Sequence, residues 1–288
     1  MNDPRLHRPD GSYKRVDLHM HSHVSDGHLS PAALVAAAVA GGLDVIALTD
    51  HDTAEGVEAA MAAAEGTSLL VIPGIEISTR SGGAEYHILG YWIDPTAPGI
   101  IRHQQSGVLR RIDRMRRMVE RLQEMGLGIT YEDVERAAGN AVVSIGRPHL
   151  ARALMERGIT RYHGEAFERY ISDTGPAFVD QILPSPEEAI RTIHEAGGIA
   201  VWAHPPATAV DVELDGFVRS GLDGVECYRP SHTPGESAAL ESRVRRLGLI
   251  PTGGSDWHGP HRSPLGEFHL RAPQVAEVLT WSGAPRAA

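Results

Sequence analysis

Apolar and polar positions alternate in two different periods along the first hundred residues. Short apolar runs that end in polar residues, as strands do, lie at 15–21, 43–52, 68–78 and 86–93. Residues 30–42 begin with a Ser-Pro pair and end with two glycines, which is the pattern of a helix with both ends marked. Residues 53–66 are also helical in pattern. Strands that alternate with helices predict βα units and a mainly parallel sheet.

The pattern changes after about residue 98. One long amphipathic stretch and three shorter helical segments follow, at 107–126, 130–139, 147–158 and 162–172. The βα alternation then resumes with a helix and three strands, at 185–198, 199–205, 222–228 and 249–258. The sequence therefore predicts an α/β fold with an inserted all-helical segment that forms a substrate-binding cap. The expected division is a first barrel part, an insertion and a second barrel part, at 1–98, 99–180 and 181–288.

Composition narrows the class of protein. A chain of 288 residues with 42% hydrophobic residues can bury one large core. The formal net charge of −10 argues against a nucleic-acid coat protein, and no duplex nucleic acid is expected as a partner. A single cysteine, Cys227, fits a reducing cytoplasm. The polar N-terminus shows no signal peptide, and the apolar stretch 32–48 is interrupted by Gly41, Gly42 and Asp44, so no membrane partner is expected. No obligate protein partner is predicted.

Residues that can bind metal follow the predicted strands. They are His19, His21, Asp26, His51, Glu76, His87, His204, Asp256 and His258. The carboxyl ends of the strands in a parallel barrel form the active face, and alternate residues of one strand share a side. One such histidine is more often structural, but several clusters on one face favour a metal centre.

The chemistry of this set indicates the metal and the reaction. Imidazole and carboxylate without thiolate suit Mn²⁺, Fe²⁺ or Zn²⁺, and Mn²⁺ is the first choice. The ligands are too many for one ion, so two or three ions with a bridging carboxylate are expected. Clusters of this kind catalyse phosphoryl hydrolysis, because they generate hydroxide at neutral pH and stabilise the attacking and leaving oxygens.

Six motifs together resemble the PHP family, named for polymerase and histidinol phosphatase. They are DLHMHSHVSDG, ALTDHD, PGIEIS, YHILGY, VWAHP and GGSDWHG, between residues 17 and 259. The resemblance implies a distorted seven-stranded (β/α) barrel with three metal ions. It assigns His19, His21, Glu76 and Asp256 to the first ion. It assigns Glu76 as a bridge to the second ion with His87 and His204, and Asp26, His51 and His258 to the third.

Three neighbours of these ligands have open roles. His23 is interpreted as a residue beside the site, not as a ligand. Asp17 and Asp50 precede ligands, and either could orient an imidazole or bind backbone groups. Aromatic residues also flank the motifs, at Tyr86, Trp202, Tyr228 and Trp257. One of them is a candidate to stack on a base, whereas most are expected to pack in the core.

The insertion resembles that of small PHP phosphoesterases. SIGRPHLARALMERG and YISDTGPAFVD carry this resemblance. It implies removal of the 3′-phosphate from nucleoside 3′,5′-bisphosphates, and in some members trimming of short RNA from the 5′ end. Ser144, Arg147 and His149 lie at a helix start and could bind the second phosphate, with helix capping and surface charge as the alternative.

The arginines of the long predicted helix are expected to form a solvated face, since acidic residues are interspersed among them. They are Arg110, Arg111, Arg114, Arg116, Arg117 and Arg121. The alternative is an oligonucleotide-binding face of Arg114, Arg117 and Arg121, which share one side of the helix.

The predicted function is hydrolysis of a phosphomonoester by a hydroxide held between the ions. Glu76, Asp256 and His204 are the catalytic candidates at the metals. Arg229 and His232 are candidates to contact the scissile phosphate or to protonate the leaving oxygen. The alternatives are a histidinol-phosphate-type or other small phosphomonoesterase, and a non-enzymatic metal-binding regulatory protein. An amidohydrolase reaction is disfavoured because Lys14 is the only lysine.

Overall fold

A computed structural model describes residues 13–139, 145–260 and 263–281. Seven strands form one curled sheet in which the spatial order equals the order in the chain. The strands are β1 (Val16–Met20), β2 (Val45–Leu48), β3 (Leu70–Ser81), β4 (Ala84–Tyr91), β5 (Ile199–Trp202), β6 (Gly224–Tyr228) and β7 (Ile250–Gly253). The predicted α/β class and the distorted seven-stranded barrel are confirmed.

Strand β4 runs against its two neighbours. It pairs antiparallel with β3 and with β5, whereas the four other pairs in the sheet are parallel. The mainly parallel sheet is therefore confirmed, with one reversed strand. The reversal places the start of β4, where His87 lies, beside Ser78 of β3 and next to the carboxyl end of β5.

A tight hairpin causes this reversal. Gly82 and Gly83 connect β3 to β4 and both have positive φ angles, of 55° and 85°. Two such residues in succession match the twist of paired strands, and glycine adopts this conformation without steric cost. The strands extend further than the sequence pattern predicted, because polar residues up to Ser81 still pair across the hairpin with Ala84.

Both faces of the sheet are buried. Alternate residues of the strands, such as Leu18, Val45 and Ile72, pack together in the concave interior. Ile46 and Leu48 point the other way, toward the helices that cover the outside. Burial on both sides explains the nearly continuous apolar runs in the sequence.

Ten α-helices surround or extend the sheet in the described residues. They are α1 (Pro31–Ala40), α2 (Val57–Ala64), α3 (Pro98–Glu124), α4 (Tyr131–Ala138), α5 (Arg147–Glu156), α6 (His163–Ala166), α7 (Pro186–Glu195), α8 (Ala207–Arg219), α9 (Pro234–Arg246) and α10 (Ala276–Leu279). The predicted start of α1 is confirmed, since the Ser30 side chain accepts a hydrogen bond from the Ala33 N–H. Ser185 likewise forms a capping box with Glu188 at α7.

Helices α3 to α6 lie between β4 and α7 and share a hydrophobic cluster of their own. Met118, Leu122, Val134 and Leu154 belong to it. Helix α3 begins at Pro98, nine residues before the predicted start at 107. The last predicted helix divides into α6 and a π-helical turn, Phe167–Ile171. The proposed domain limits at 98 and 180 stay a prediction.

No helix within the described ranges has the length and apolar composition needed to cross a bilayer. Helix α3 is long, but its sequence is rich in arginine.

The edges of the sheet meet beside β1. The Trp257 carbonyl accepts a hydrogen bond from the His21 N–H at 2.9 Å, and the Trp257 N–H donates to the His19 carbonyl at 3.3 Å. Gly254, just after β7, lies so close to β1 that a Cβ there would be 2.3 Å from the His19 Cβ. This close approach holds the residues after β7 against the first strand.

Replacement of Gly254 by alanine should therefore destabilise the fold by about 1–3 kcal/mol, because the methyl group must push β1 and β7 apart. Thermal unfolding measured by circular dichroism checks this expectation. Gly235→Ala is the matched control, since a Cβ at Gly235 would meet no atom within 4 Å. An unchanged melting temperature for Gly254→Ala would contradict the tight contact.

Candidate metal centre

The first cluster joins β1, β3 and the segment after β7. The Nε2 atoms of His19 and His21 each lie 3.2 Å from the Glu76 Oε2 atom, and 3.2 Å from each other. The Asp256 Oδ1 atom lies 3.5 Å from the first of these nitrogens and 3.3 Å from the second. His19, His21 and Glu76 are fully buried. Both imidazole nitrogens thus lie within 3.5 Å of two carboxylates.

The second cluster uses the other oxygen of the same carboxylate. Glu76 Oε1 lies 2.8 Å from His87 Nδ1 and 3.0 Å from His204 Nε2. These two nitrogens are 3.3 Å apart. His87 takes part only because β4 is reversed, which turns the start of that strand toward the active face.

The third cluster lies on the opposite side of His21. The Asp26 carboxylate is 3.3 Å from His258 Nε2 and 4.0 Å from His51 Nε2. The Nδ1 atom of His51 faces Glu76 Oε2 at 3.2 Å, so His51 lies between the third cluster and the bridging carboxylate. The structure therefore brings together all nine predicted ligands. His23 belongs to none of the candidate metal-binding groups among the described residues.

These spacings fit bound metal ions. Ligands at about 2.1 Å from one ion lie roughly 3.0–3.5 Å apart in octahedral or tetrahedral geometry. Within the described residues, the buried Nδ1 atom of His51 forms no hydrogen bond, although the Glu76 oxygen is near it. An ion between the two atoms would satisfy both.

Burial and neighbouring charges shift the pKa values of the metal-free cluster. Burial opposes the charge of Glu76, but His51, His19 and His87 outweigh this effect and hold its pKa well below the usual value. Burial also opposes charge on His21, yet Asp256 and Glu76 raise the pKa of this histidine to about 9. Burial lowers the pKa of His51 to about 3, assisted by the neighbouring His21 and His87.

Glu226 contacts two of the candidate ligands and could not be named from the sequence motifs. Its Oε1 atom lies 3.1 Å from His19 Nδ1, and its Oε2 atom accepts a hydrogen bond from the His204 N–H at 2.7 Å. A carboxylate behind an imidazole fixes the orientation of the ring and makes it a better ligand. The sequence signal that could have revealed it is a charged residue, Glu226, within the otherwise apolar strand β6.

Asp17 and Asp50 bind other groups. Asp17 accepts hydrogen bonds from the N–H groups of His19 and Ser255. Asp50 accepts from the N–H of Ser22 and from the hydroxyls of Ser22 and Ser25. The open question is thus resolved in favour of backbone and hydroxyl contacts, which position the loop after β1.

Several site residues hold unusual backbone conformations. Asp52, His204 and Asp256 have positive φ angles of 55°, 29° and 52°. Such angles cost free energy in residues with side chains and are concentrated at functional sites. Here they lie in the short segments that follow β2, β5 and β7, where the chain turns at the face that carries the clusters.

A cleft opens beside the third cluster toward the inserted helices. Asp26, His51 and His87 line one part, and Arg111, Arg114 and Arg147 line another.

The prediction that the arginines of α3 form a solvated face is wrong for two of them. Arg114 of α3 is only 8% exposed, and Arg111 binds the buried Asp52, so neither belongs to a solvated face. Arg116, Arg117 and Arg121 are exposed, as expected for a solvated face.

The three residues predicted to bind the second phosphate lie in different surroundings. Arg147 lines the cleft and pairs with Asp173 at 2.5 Å. His149 is buried, and its Nδ1 atom accepts a hydrogen bond from the Gly146 N–H at 2.9 Å, which is the capping alternative. Burial lowers the pKa of His149 to about 4. Ser144 lies outside the described residues.

Arg229 and His232 do not join the metal cluster. They line a separate pocket with Tyr228 and Phe268, and His232 Nδ1 is 3.1 Å from the Cys227 carbonyl oxygen. Their proposed catalytic roles stay a prediction.

Most of the aromatic residues that flank the motifs pack in the core. Tyr86, Trp202 and Trp257 are buried and belong to the hydrophobic clusters, as expected.

Comparisons with known proteins agree with this geometry. The PHP domain profile matches residues 17–94. A 5′-3′ exoribonuclease of Haemophilus influenzae is 36% identical over 252 residues, which cover 86% of this chain and 91% of that protein. The chain belongs to the PHP family. It is a metal-dependent hydrolase that acts on phosphate esters, as predicted.

Two further PHP relatives are similar over most of their length. A 3′,5′-nucleoside bisphosphate phosphatase of Chromobacterium violaceum is 32% identical, with 85% of this chain and 87% of that protein covered. A crystal structure from Bifidobacterium adolescentis, provisionally named a metal-dependent phosphoesterase, superposes with a TM-score of 0.83 at 34% identity. The alignment covers 92% of this chain and 95% of that one.

Metal affinity should rise between pH 7 and pH 9. His21 has a pKa of about 9 and His87 of about 10 when no metal is bound, so both carry protons at pH 7 that a metal must displace. Mn²⁺ binding to chelator-treated protein at pH 7 should release protons. Calorimetric titration in two buffers of different ionisation enthalpy measures this release, and identical enthalpies in both buffers would contradict the assignment.

Proposed function

We propose that this PHP enzyme removes the 3′-phosphate from nucleoside 3′,5′-bisphosphates, with short 5′-phosphorylated RNA as a related substrate. One observation carries the proposal. The same cleft presents the histidine–carboxylate cluster and three guanidinium groups. A bisphosphate needs two anion sites. In this cleft the histidine–carboxylate cluster with its metals would bind one phosphate, and the guanidinium groups would bind the other.

Three divalent ions, with Mn²⁺ as the first choice and Fe²⁺ or Zn²⁺ as alternatives, would be held by the clusters described above. Glu76 would bridge the first and second ions through its two oxygens, and His51 lies beside the third. Bound ions would lower the pKa of water and offset negative charge on the phosphoryl oxygens.

The protein groups have separate tasks in this proposal. Glu76, Asp256 and His204 would help to hold the metals, and because these side chains are already positioned, little reorganisation would accompany the reaction. The guanidinium groups orient the substrate, since planar Arg side chains bind phosphate oxygens in pairs. The buried Asp52 fixes Arg111 in the cleft, because it also accepts hydrogen bonds from the Ser78 N–H and hydroxyl.

The names of two relatives support this substrate class. One is called a nucleoside bisphosphate phosphatase and another an exoribonuclease, and both names imply phosphorylated nucleotides. The cytoplasmic location inferred from the single cysteine stays a prediction.

The decisive assay is phosphate release in the presence of Mn²⁺. Adenosine 3′,5′-bisphosphate should be the preferred substrate and AMP the product, in comparison with histidinol phosphate, AMP and a short 5′-phosphorylated RNA. A preference for histidinol phosphate, or equal rates on all four, would contradict the proposed substrate class.

Replacement of Glu76 by glutamine should reduce kcat at least about a thousandfold, because the bridge between two clusters loses its charge. Glu120→Gln is the matched control, since this glutamate is exposed on α3. Near-normal turnover in Glu76→Gln would exclude the bridging role, provided that its circular dichroism spectrum is native.

A further inference from the structure

Arg114 has an unusual environment for an arginine. It projects from α3, is only 8% exposed, and lines the cleft. Its Nε–H donates to the Val179 carbonyl at 2.8 Å, and Nη1 makes a long contact of 3.4 Å with Gln181 Oε1. The guanidinium carbon lies 5.3 Å from the centre of the Phe178 ring. The Nη2 atom is buried and has no hydrogen-bond partner among the residues that the structure describes.

The two other arginines of the cleft are paired with carboxylates. Arg111 Nε donates to Asp52 at 2.9 Å, and Arg147 Nη1 lies 2.5 Å from Asp173. Within the described part of the chain, Arg114 forms no ion pair with a carboxylate. Its guanidinium group therefore contacts a carbonyl, an amide oxygen and an aromatic ring, all of which are neutral.

The surrounding charges favour an added anion. Arg111 and Arg147 repel Arg114, whereas Glu85 and Asp173 attract it. Glu85 lies 3.3 Å from His87 Nε2 and 3.7 Å from Arg80 Nη2, so its oxygens are already engaged. A buried guanidinium with an unused N–H is costly unless a ligand completes its hydrogen bonds.

We propose that Arg114 is the fixed anchor for the non-reacting phosphate of the substrate, between Arg111 and Arg147. This inference rests on the proposed bisphosphate substrate. The backbone carbonyl of Val179 and the Phe178 ring hold the guanidinium in place, and the unused Nη2–H remains for a phosphate oxygen. Arg114 would thus set specificity for a substrate with a second phosphate, while the metal cluster takes the scissile one.

The test compares two substrates that share the scissile group. Adenosine 3′,5′-bisphosphate carries the second phosphate, and adenosine 3′-monophosphate lacks it. In Arg114→Gln, the ratio of their kcat/KM values should fall about 10- to 100-fold, mainly through the bisphosphate. A purely structural role would lower both kcat/KM values together and leave the ratio unchanged, which would overturn the inference.

Arg117→Gln is the matched control. Arg117 lies on the same helix, is 55% exposed, and lies 3.8 Å from the exposed Asp113, so its ratio should equal that of the wild type. Arg114→Lys provides a second variant if the glutamine variant does not fold. It keeps the charge but loses the planar fork, and its ratio should fall by a smaller factor.

A binding measurement separates this inference from the proposed function. Calorimetric titration with adenosine 5′-monophosphate, which carries only the non-reacting phosphate, should show about 10-fold weaker binding to Arg114→Lys than to the wild type. Equal binding would overturn the role of Arg114 even if the bisphosphate is hydrolysed. Weaker binding by an enzyme that fails to hydrolyse the bisphosphate would support the anion site and reject the proposed reaction.

Discussion

Most of the candidate metal ligands converge on the buried carboxylate of Glu76. It is fully buried and lies within 3.2 Å of five imidazole rings, those of His19, His21, His51, His87 and His204. A carboxylate in such a place is stable only where positive charge compensates it, from protonated histidines or from metal ions. This one side chain links the two clusters that share its oxygens.

The topology of the sheet is arranged around this carboxylate. β1 and β3 run parallel toward the active face, whereas the Gly82–Gly83 turn sends β4 back so that its first residues reach the same face. The resulting strand is an exception within a parallel barrel, and it supplies His87. Close contact of Gly254 with β1 then brings Asp256 and His258 to the opposite side of the cluster. Local chain chemistry thus sets the position of each ligand.

The sequence indicated the candidate ligands better than their surroundings. Polar residues that follow apolar runs, together with the six motifs that resemble a known family, pointed to nine candidate ligands, and the structure brings these side chains together. The roles of Arg111 and Arg114 could not be predicted, because the periodicity of α3 does not reveal which arginines the inserted helices bury. Glu226 and Asp52 were missed because their function depends on contacts with His19 and Arg111, which are distant in the chain.

The most direct test of the central claim is anomalous X-ray diffraction from crystals grown with Mn²⁺, recorded on both sides of the manganese absorption edge. Separate anomalous peaks are expected next to the two oxygens of Glu76, one near His19 and His21 and the other near His87 and His204, with a further peak near Asp26. A single peak that does not contact Glu76, or peaks remote from these histidines, would contradict the bridging carboxylate and the mechanism built on it.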